Sequence, residues 1–308
     1  LGLQFANDIQ KNYSNPFYGT AVQQGGTLFQ REQQDVTTNF LQLLRYNKSF
    51  GSHSFDALIA HESNDYTRDR SSASKRDVAI PGLLELDNFA VAQGQPTGFS
   101  EGATLESYFS QFNYNYDGTY FLSASVRTDG SSRFINDKWG VFWSVGGSWI
   151  ASNESFLENS NFLSYLKLKA SYGVLGDQEG VDFFQSADTF NVTNLNDGLS
   201  ISERANGNPD LTWEESQMFQ TGVELSLNRY LDVNVDYYIK NTENLFFNRR
   251  VGSSQGISSI TVNDGVLRNT GLEFSVTGHL IQSENATLDL TINGEHIDNE
   301  ITTMPIEP

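Results

Sequence analysis

Four histidines, one serine-containing turn and several acidic pairs are the residues of this sequence whose types suit catalysis or metal binding. None of the histidines has another His or Cys at the spacing of a metal site. The 308-residue chain has no cysteine, which removes thiol nucleophiles, thiolate metal sites and disulfides. We therefore expect no metal site and no cofactor. The histidines are His53, His61, His279 and His296.

The candidate catalytic groups lack partners at useful spacing. Residues 129–132 (D-G-S-S) resemble a serine site, but no base is visible nearby and the residue types favour a turn. Asp232 and Asp236 lie four strand positions apart, roughly 13 Å, which is too far for a glycosidase pair of the retaining or inverting kind. The acidic residues of 177–182 lack the ligand spacing of an EF-hand, and calcium binding there remains an open alternative. The sequence predicts no catalytic residues and no enzyme.

Charge and hydropathy exclude two further classes of protein. Asp and Glu total 38 against 19 Lys and Arg, so the net charge of -19 repels nucleic-acid backbones. No apolar run is long enough for a transmembrane helix, and residues 1–4 do not begin a signal peptide. A transmembrane β-barrel stays possible, because its strands are apolar on one face only.

Period-two alternation dominates the chain. Residues 231–240 are the clearest case, with apolar or aromatic residues at odd positions and Asp, Asn, Asp, Tyr and Lys at even positions. About ten such strands are predicted, many of nine or more residues, which is the length of a tilted membrane-crossing strand. The others are 108–116, 120–127, 141–149, 166–174, 219–227, 272–277 and 288–293, with noisier segments at 37–50 and 54–72.

The connections between these strands alternate in length. Tight turns fall at 51–53, 117–118, 229–230 and 282–286, whereas long polar loops fall at 76–102, 179–212 and 252–265. In an up-and-down sheet alternate connections lie at the same end, and outer-membrane barrels have short periplasmic turns and long extracellular loops. The predicted fold class is therefore all-β, a transmembrane antiparallel up-and-down β-barrel.

The polar faces carry charges in mid-strand, which suits a wide, wet lumen. We predict that Glu224, Asp232, Asp236 and Glu273 face this lumen. Aromatic residues near strand ends are candidates for interfacial girdles, although high β propensity alone also explains them. They are Tyr116, Tyr120, Trp139, Trp149, Tyr230 and Tyr237.

Several stretches match more than a generic pattern. The R-x-D-G-S-S-R-F element at 127–134 and the N-P-x-L-x-W-E element at 208–214 are the most specific. They are accompanied by 138–150, 166–178 and N-T-G-L-E at 269–273. Together they resemble the SusC/RagA family of TonB-dependent outer-membrane transporters from Bacteroidota, over roughly residues 37–302.

This resemblance implies a 22-stranded barrel filled by an N-terminal plug, in the outer membrane of a Gram-negative bacterium. Such proteins import glycans or peptides with energy passed on by TonB, and a SusD-like lipoprotein caps the extracellular mouth. Residues 1–308 are then expected to form part of the C-terminal barrel domain, with the plug and N-terminal domains absent from this chain. Phe183, Phe184 and Phe190 are predicted to contact substrate at the mouth; the alternative is that they stabilise their own loop.

Two rival interpretations remain at this stage. A secreted soluble β-rich carbohydrate-binding module or glycoside hydrolase predicts two sheets packed through their apolar faces. A passive porin predicts a barrel without plug or TonB coupling. The identity of the substrate, glycan or peptide, and the oligomeric state are not determined by the sequence.

Overall fold

The chain is built almost entirely from β-strands. The computed structural model describes residues 1–157, 160–252 and 259–304, and the only helical elements in these ranges are three single 3-10 turns. None of the helices in these described ranges is long and apolar enough to cross a membrane. The predicted all-β fold class is confirmed.

The first of two compact units comprises Leu1–Leu41 and Glu62–Leu105. Its strands are β1 (Gly2–Ser14), β4 (Phe89–Ala92) and parts of β2 (Thr27–Phe50), β3 (His53–Val78) and β5 (Thr97–Tyr116). They lie in the order β1-β2-β3-β5, with β4 added antiparallel to the distal end of β3.

The second unit comprises Gln42–His61 and Glu106–Pro308. Besides the remaining parts of β2, β3 and β5, its main sheet contains β6 (Tyr120–Ser131), β7 (Trp139–Ile150), β8 (Tyr165–Asp177), β11 (Glu214–Leu227), β12 (Leu231–Glu243), β15 (Val266–Gln282) and β16 (Thr287–Thr303). Two separate hairpins are β9 (Thr189–Leu195) with β10 (Gly198–Ala205), and β13 (Phe246–Arg250) with β14 (Ser259–Asn263). The main strands follow one another in chain order, β2-β3-β5-β6-β7-β8-β11-β12-β15-β16, which is the predicted up-and-down topology.

Turn chemistry explains how successive strands reverse. Asp117 and Gly118 between β5 and β6, and Asn228 between β11 and β12, have positive φ, which Asp, Asn and Gly tolerate best. The tight turns fall at one end of the strands, as predicted. At the other end, the long connections contain the β9–β10 and β13–β14 hairpins, which the sequence prediction missed. Residues 253–258 of the predicted loop 252–265 lie outside the described residues.

Strand β7 shows how the alternating faces match a bilayer. Trp139 and Trp149 lie on the same face at its two ends, with Val141, Trp143 and Val145 between them. Ten strand steps are about 34 Å, or about 24 Å after a tilt of about 45°. This is the height of the apolar band of an outer-membrane barrel, about 25 Å.

The N-terminal third differs from the sequence prediction in extent. Residues 1–36 are weakly patterned, yet they form β1 and the start of β2, and β2 and β3 reach 24 and 26 residues. Asn7 and Lys11 interrupt the apolar face of β1, and polar residues on both faces of the start of β2 weaken its alternation. Pairing of β1 with β2 over Gly2–Ser14 supplies the order that the pattern does not show.

Candidate functional site: the polar wall and the loop cluster

The polar face of the second unit carries a row of charges that crosses five strands. Strand register pairs each residue of this row with the next one on the neighbouring strand: Lys169 (β8), Gly222 (β11), Asp236 (β12), Glu273 (β15) and Glu295 (β16). Asp236 and Glu273, predicted as lumen-facing, therefore lie in the same row. Because carboxylates on neighbouring strands repel each other, this row needs a nearby cation.

Lys169 supplies that cation by crossing a strand. Its Nζ lies 3.0 Å from Asp236 Oδ1, although β11 separates the two strands. Gly222 makes the crossing possible, since a Cβ at this position would overlap the Asp236 carboxylate and lie 2.7 Å from Lys169 Cε. Asp236 is only 5% exposed, and Asn234 Nδ2 also donates to it at 3.0 Å.

The predicted residue Glu224 belongs to the same cluster. Lys169 Nζ lies 3.2 Å from Glu224 Oε1, and Lys167 Nζ lies 3.5 Å from Glu224 Oε2. Two lysines of β8 thus balance two carboxylates of β11 and β12. Among the described residues, the structure brings Glu224 and Asp236 together through a shared lysine.

Asp232 lies in a separate cluster nearer the tight-turn end. His279 Nε2 lies 3.0 Å from Asp232 Oδ2, and His279 Nδ1 lies 2.8 Å from Asp289 Oδ1. Sequence reasoning missed His279, because its two carboxylates are on the neighbouring strands β12 and β16 rather than at a fixed sequence spacing. The Asp232–His279–Asp289 arrangement fixes three strands to one another.

Glu273 lines a shallow recess of the wall with Asn234, Ser275, Asn293 and Glu295. Here another long side chain crosses a strand: Tyr238 passes over Gly271 and donates its hydroxyl to Glu295 at 2.8 Å. The wall is therefore polar and acidic from β11 to β16, and it can hydrogen-bond neutral or cationic groups.

Above this wall, the two most specific sequence elements pack against each other. Phe134, from R-x-D-G-S-S-R-F, and Leu211, from N-P-x-L-x-W-E, are fully buried, and the ring of Trp213 lies 5.3 Å from that of Phe134. Trp213 Nε1 donates to the carbonyl of Lys138 at 3.1 Å, and Phe142 of β7 packs against the indole. The two elements form the apolar core of a loop cluster, defined here by 132–138, 178–213 and 244–252.

Arg133 organises the same loop cluster by hydrogen bonds. It donates to the carbonyl oxygens of Gln178, at 3.1 Å, and Val181, while its own carbonyl accepts from Ser186 Oγ at 2.6 Å. Its guanidinium lies 5.0 Å from the centre of the Phe183 ring. Arg133 thus ties the start of the 178–213 loop to the end of β6.

The structure separates the three aromatic residues proposed to contact substrate. Phe183 packs beneath Arg133 and is half-buried, which favours a role in holding its own loop. Phe184 and Phe190 are 49% and 58% exposed, and register puts Phe190, Val192 and Ile201 on one face of the β9–β10 hairpin. Phe184 and Phe190 are the two that remain available to a ligand.

Glu214, the last residue of the N-P-x-L-x-W-E element, begins β11 five positions before Phe219, the first apolar residue of its lipid-facing side. Its carboxylate accepts a hydrogen bond from the Phe246 amide. Burial raises the pKa of Glu214, and the charge of Asp177 raises it further, while the Phe246 amide opposes the shift. Glu214 therefore joins the foot of the β13–β14 hairpin to the wall.

Within residues 1–157, 160–252 and 259–304, no three His, Asp or Glu side chains are grouped as a metal site. In segment 177–182, Asp177 Oδ1 accepts a hydrogen bond from the Glu179 amide at 2.8 Å.

Long antiparallel strands in chain order, one apolar face, one charged face and long loops at one end define a wall of a transmembrane β-barrel. The chain belongs to the TonB dependent receptor-like, beta-barrel family, whose model matches residues 1–302. It is accordingly part of an outer-membrane protein of a Gram-negative bacterium, as predicted.

Individual relatives agree with this assignment. TonB-dependent receptor P39 of Formosa agariphila is 29% identical over 99% of this chain and 31% of its own length. TonB-dependent receptor SusC of Bacteroides thetaiotaomicron is 29% identical over 85% of this chain and 27% of its own length. The resemblance to the SusC/RagA type is thereby confirmed.

Solved structures show the same architecture. A chain of the RagAB peptide importer in its closed-closed state superposes with a TM-score of 0.84 at 29% identity, covering 98% of this chain and 34% of that one. The ferric citrate transporter FecA, at 7% identity and a TM-score of 0.54, shares the fold alone. The chain spans about a third of the length of the relatives it matches.

Proposed function

We propose that the whole protein imports oligosaccharides or oligopeptides across the outer membrane, energised through TonB and assisted by a SusD-like surface lipoprotein. In this proposal residues 1–308 form part of the C-terminal barrel domain, and a plug outside this chain fills the lumen. The observation that carries the proposal is a loop cluster with its own apolar core, built by the two family-type elements, above a charged wall.

Phe184 and Phe190 are the proposed ligand contacts in this chain. Aromatic rings exposed on an ordered loop can stack on sugar rings and can also pack against peptide side chains, so they suit either substrate class. Glu224, Asp232, Asp236 and Glu273 are proposed to keep the wall hydrated along the route. Because carboxylates outnumber cations there, we expect neutral or cationic substrates to pass more readily than polyanions.

Both glycan and peptide are kept as proposed substrate classes. The SusC and RagAB relatives are each 29% identical to this chain, and RagAB is described as a peptide importer. The decisive experiment is uptake of fluorescent neutral oligosaccharides and of fluorescent oligopeptides by cells with and without the gene. One class should accumulate only when the gene is present.

Coupling to TonB separates an energised importer from a passive porin. Uptake should be lost in a strain without TonB and should fall when the proposed SusD-like partner is deleted. Uptake that persists at full rate without TonB would favour the porin. Recovery of the imported molecule at unchanged mass would agree with our prediction that the protein catalyses no bond chemistry.

A further inference from the structure

The segment 151–157 follows β7 at the tight-turn end and folds back onto the outside of the sheet. Ala151 is buried, and Asn153 Nδ2 donates to the carbonyl of Gly118 at 3.2 Å and to the hydroxyl of Thr119 at 3.3 Å. The segment is thereby pinned to the turn between β5 and β6.

Two aromatic residues of the lipid-facing side hold the segment in place. The Tyr120 hydroxyl and Trp149 Nε1 both donate to Glu154 Oε1, the latter at 3.1 Å. The two rings are stacked on adjacent strands, at the level where the apolar band of β7 ends. Since both donors stand on the apolar face, Glu154 lies on the lipid side of the wall and not in the lumen.

Beyond Glu154, an apolar side chain is left uncovered. Phe156 is 70% exposed, and its ring centre lies 6.5 Å from that of Trp149. An exposed phenyl ring is costly in water, and the described residues leave most of this ring uncovered. Its contact with Trp149 makes it continuous with the face that touches hydrocarbon.

We propose that segment 151–157 is an interfacial membrane anchor, with Phe156 inserted among lipid chains next to the headgroups of the leaflet at the tight-turn end. Aromatic side chains are stable at this depth, where one side is apolar and the other is wet. A carboxylate at the same depth needs hydrogen-bond donors, and Glu154 receives two from Tyr120 and Trp149. The occupant of the exposed surface is lipid.

The first test places a nitroxide at Phe156→Cys in the whole transporter, freed of other cysteines and reconstituted into phosphatidylcholine vesicles. We expect collisions with oxygen to exceed collisions with a water-soluble nickel chelate several-fold. Asn196→Cys, at the tip of the β9–β10 hairpin, is the matched exposed control and should show the opposite order. A label at 156 that favours the nickel chelate, or that is shielded from both reagents, would overturn the proposal.

A second pair of variants guards against a label that perturbs folding. Phe156→Asp should lower the thermal unfolding midpoint in vesicles by several degrees, because it places a charge at the boundary of the hydrocarbon. Phe156→Leu should keep the midpoint close to that of the unmodified protein. Equal midpoints for Asp and Leu at 156 would show that the side chain does not meet lipid.

Discussion

Lys169 Nζ lies 3.0 Å from Asp236 Oδ1 although a whole strand runs between them, and the glycine at position 222 is what leaves the gap. The same device recurs where Tyr238 crosses Gly271 to reach Glu295. Inward-facing glycines thus let long side chains connect alternate strands. In a wide wall this ties the polar face together without filling the lumen with apolar bulk.

Gly222→Ala should break this connection. The new methyl group would overlap the Asp236 carboxylate and displace Lys169, leaving a buried carboxylate poorly paired. We expect a loss of about 1–3 kcal/mol in the free energy of unfolding, measured by urea titration of the whole protein in detergent. Gly278→Ala on β15 is the control, because its methyl group would meet nothing closer than 3.7 Å. Equal losses for both variants would contradict the proposed role of Gly222.

Adjacent residues of β7 test which face touches lipid. Val145 lies on the face of Trp143 and Trp149, whereas Ser144 lies on the opposite face. Val145→Arg should destabilise the protein in vesicles by about 2–4 kcal/mol, since it places a charge near the bilayer midplane. Ser144→Arg should cost far less, because the other face is wet. A larger penalty at 144 than at 145 would reverse the assignment of the two faces.

The wall was predictable from sequence wherever its two faces differ in polarity. Strands such as Leu231–Glu243 alternate cleanly, because one side meets lipid and the other meets water. Gly2–Ser14 was not predicted, because Asn7 and Lys11 interrupt its apolar side. The β9–β10 hairpin was also missed, as it lies inside a long polar connection and its apolar face is exposed.

The sequence predicts which residues of the candidate site share one face of the sheet, but it does not predict which side chains pair with them. Glu224, Asp232, Asp236 and Glu273 share the polar face, as strand parity requires. Their partners depend on register across several strands, which a single sequence does not encode locally. The role of Phe183 likewise follows only from the position of Arg133, some 50 residues earlier in the chain.

Trp213 should control the order of the loop cluster. Trp213→Ala removes a buried indole from its packing against Phe134 and Phe142, and the expected cost is about 3–5 kcal/mol. Trp213→Phe keeps most of the packing and loses the bond to Lys138, for about 1 kcal/mol. Limited proteolysis should cut within 178–213 rapidly in the Ala variant and slowly in the Phe variant. If cleavage there is unchanged in Trp213→Ala, the core of the loop cluster does not hold this loop.

Phe183 and Phe190 should give opposite results when each is changed to Ala. Phe190→Ala should weaken uptake of the transported substrate several-fold at unchanged thermal stability, because its ring is exposed and packs little. Phe183→Ala should instead increase proteolysis of the loop, because it loses the contact with Arg133. Parallel measurement of uptake and proteolysis separates the two effects. Unchanged uptake in Phe190→Ala would remove this residue from the proposed substrate contacts.

Glu214 should make the loop cluster more stable in mild acid. Burial raises the pKa of its carboxyl, so the folded protein binds a proton more tightly than the unfolded chain does. By linkage, this stability is fully present below the ordinary glutamate pKa and is lost as the pH rises through the higher folded value. The unfolding midpoint of the whole protein should therefore fall as the pH rises above the ordinary glutamate pKa, and it should fall more steeply than in Glu214→Gln. Glu214→Gln is the control, because it keeps an acceptor for the Phe246 amide and cannot ionise. Parallel pH profiles for the two proteins would contradict the prediction, because they would show that Glu214 titrates alike in the folded and unfolded states.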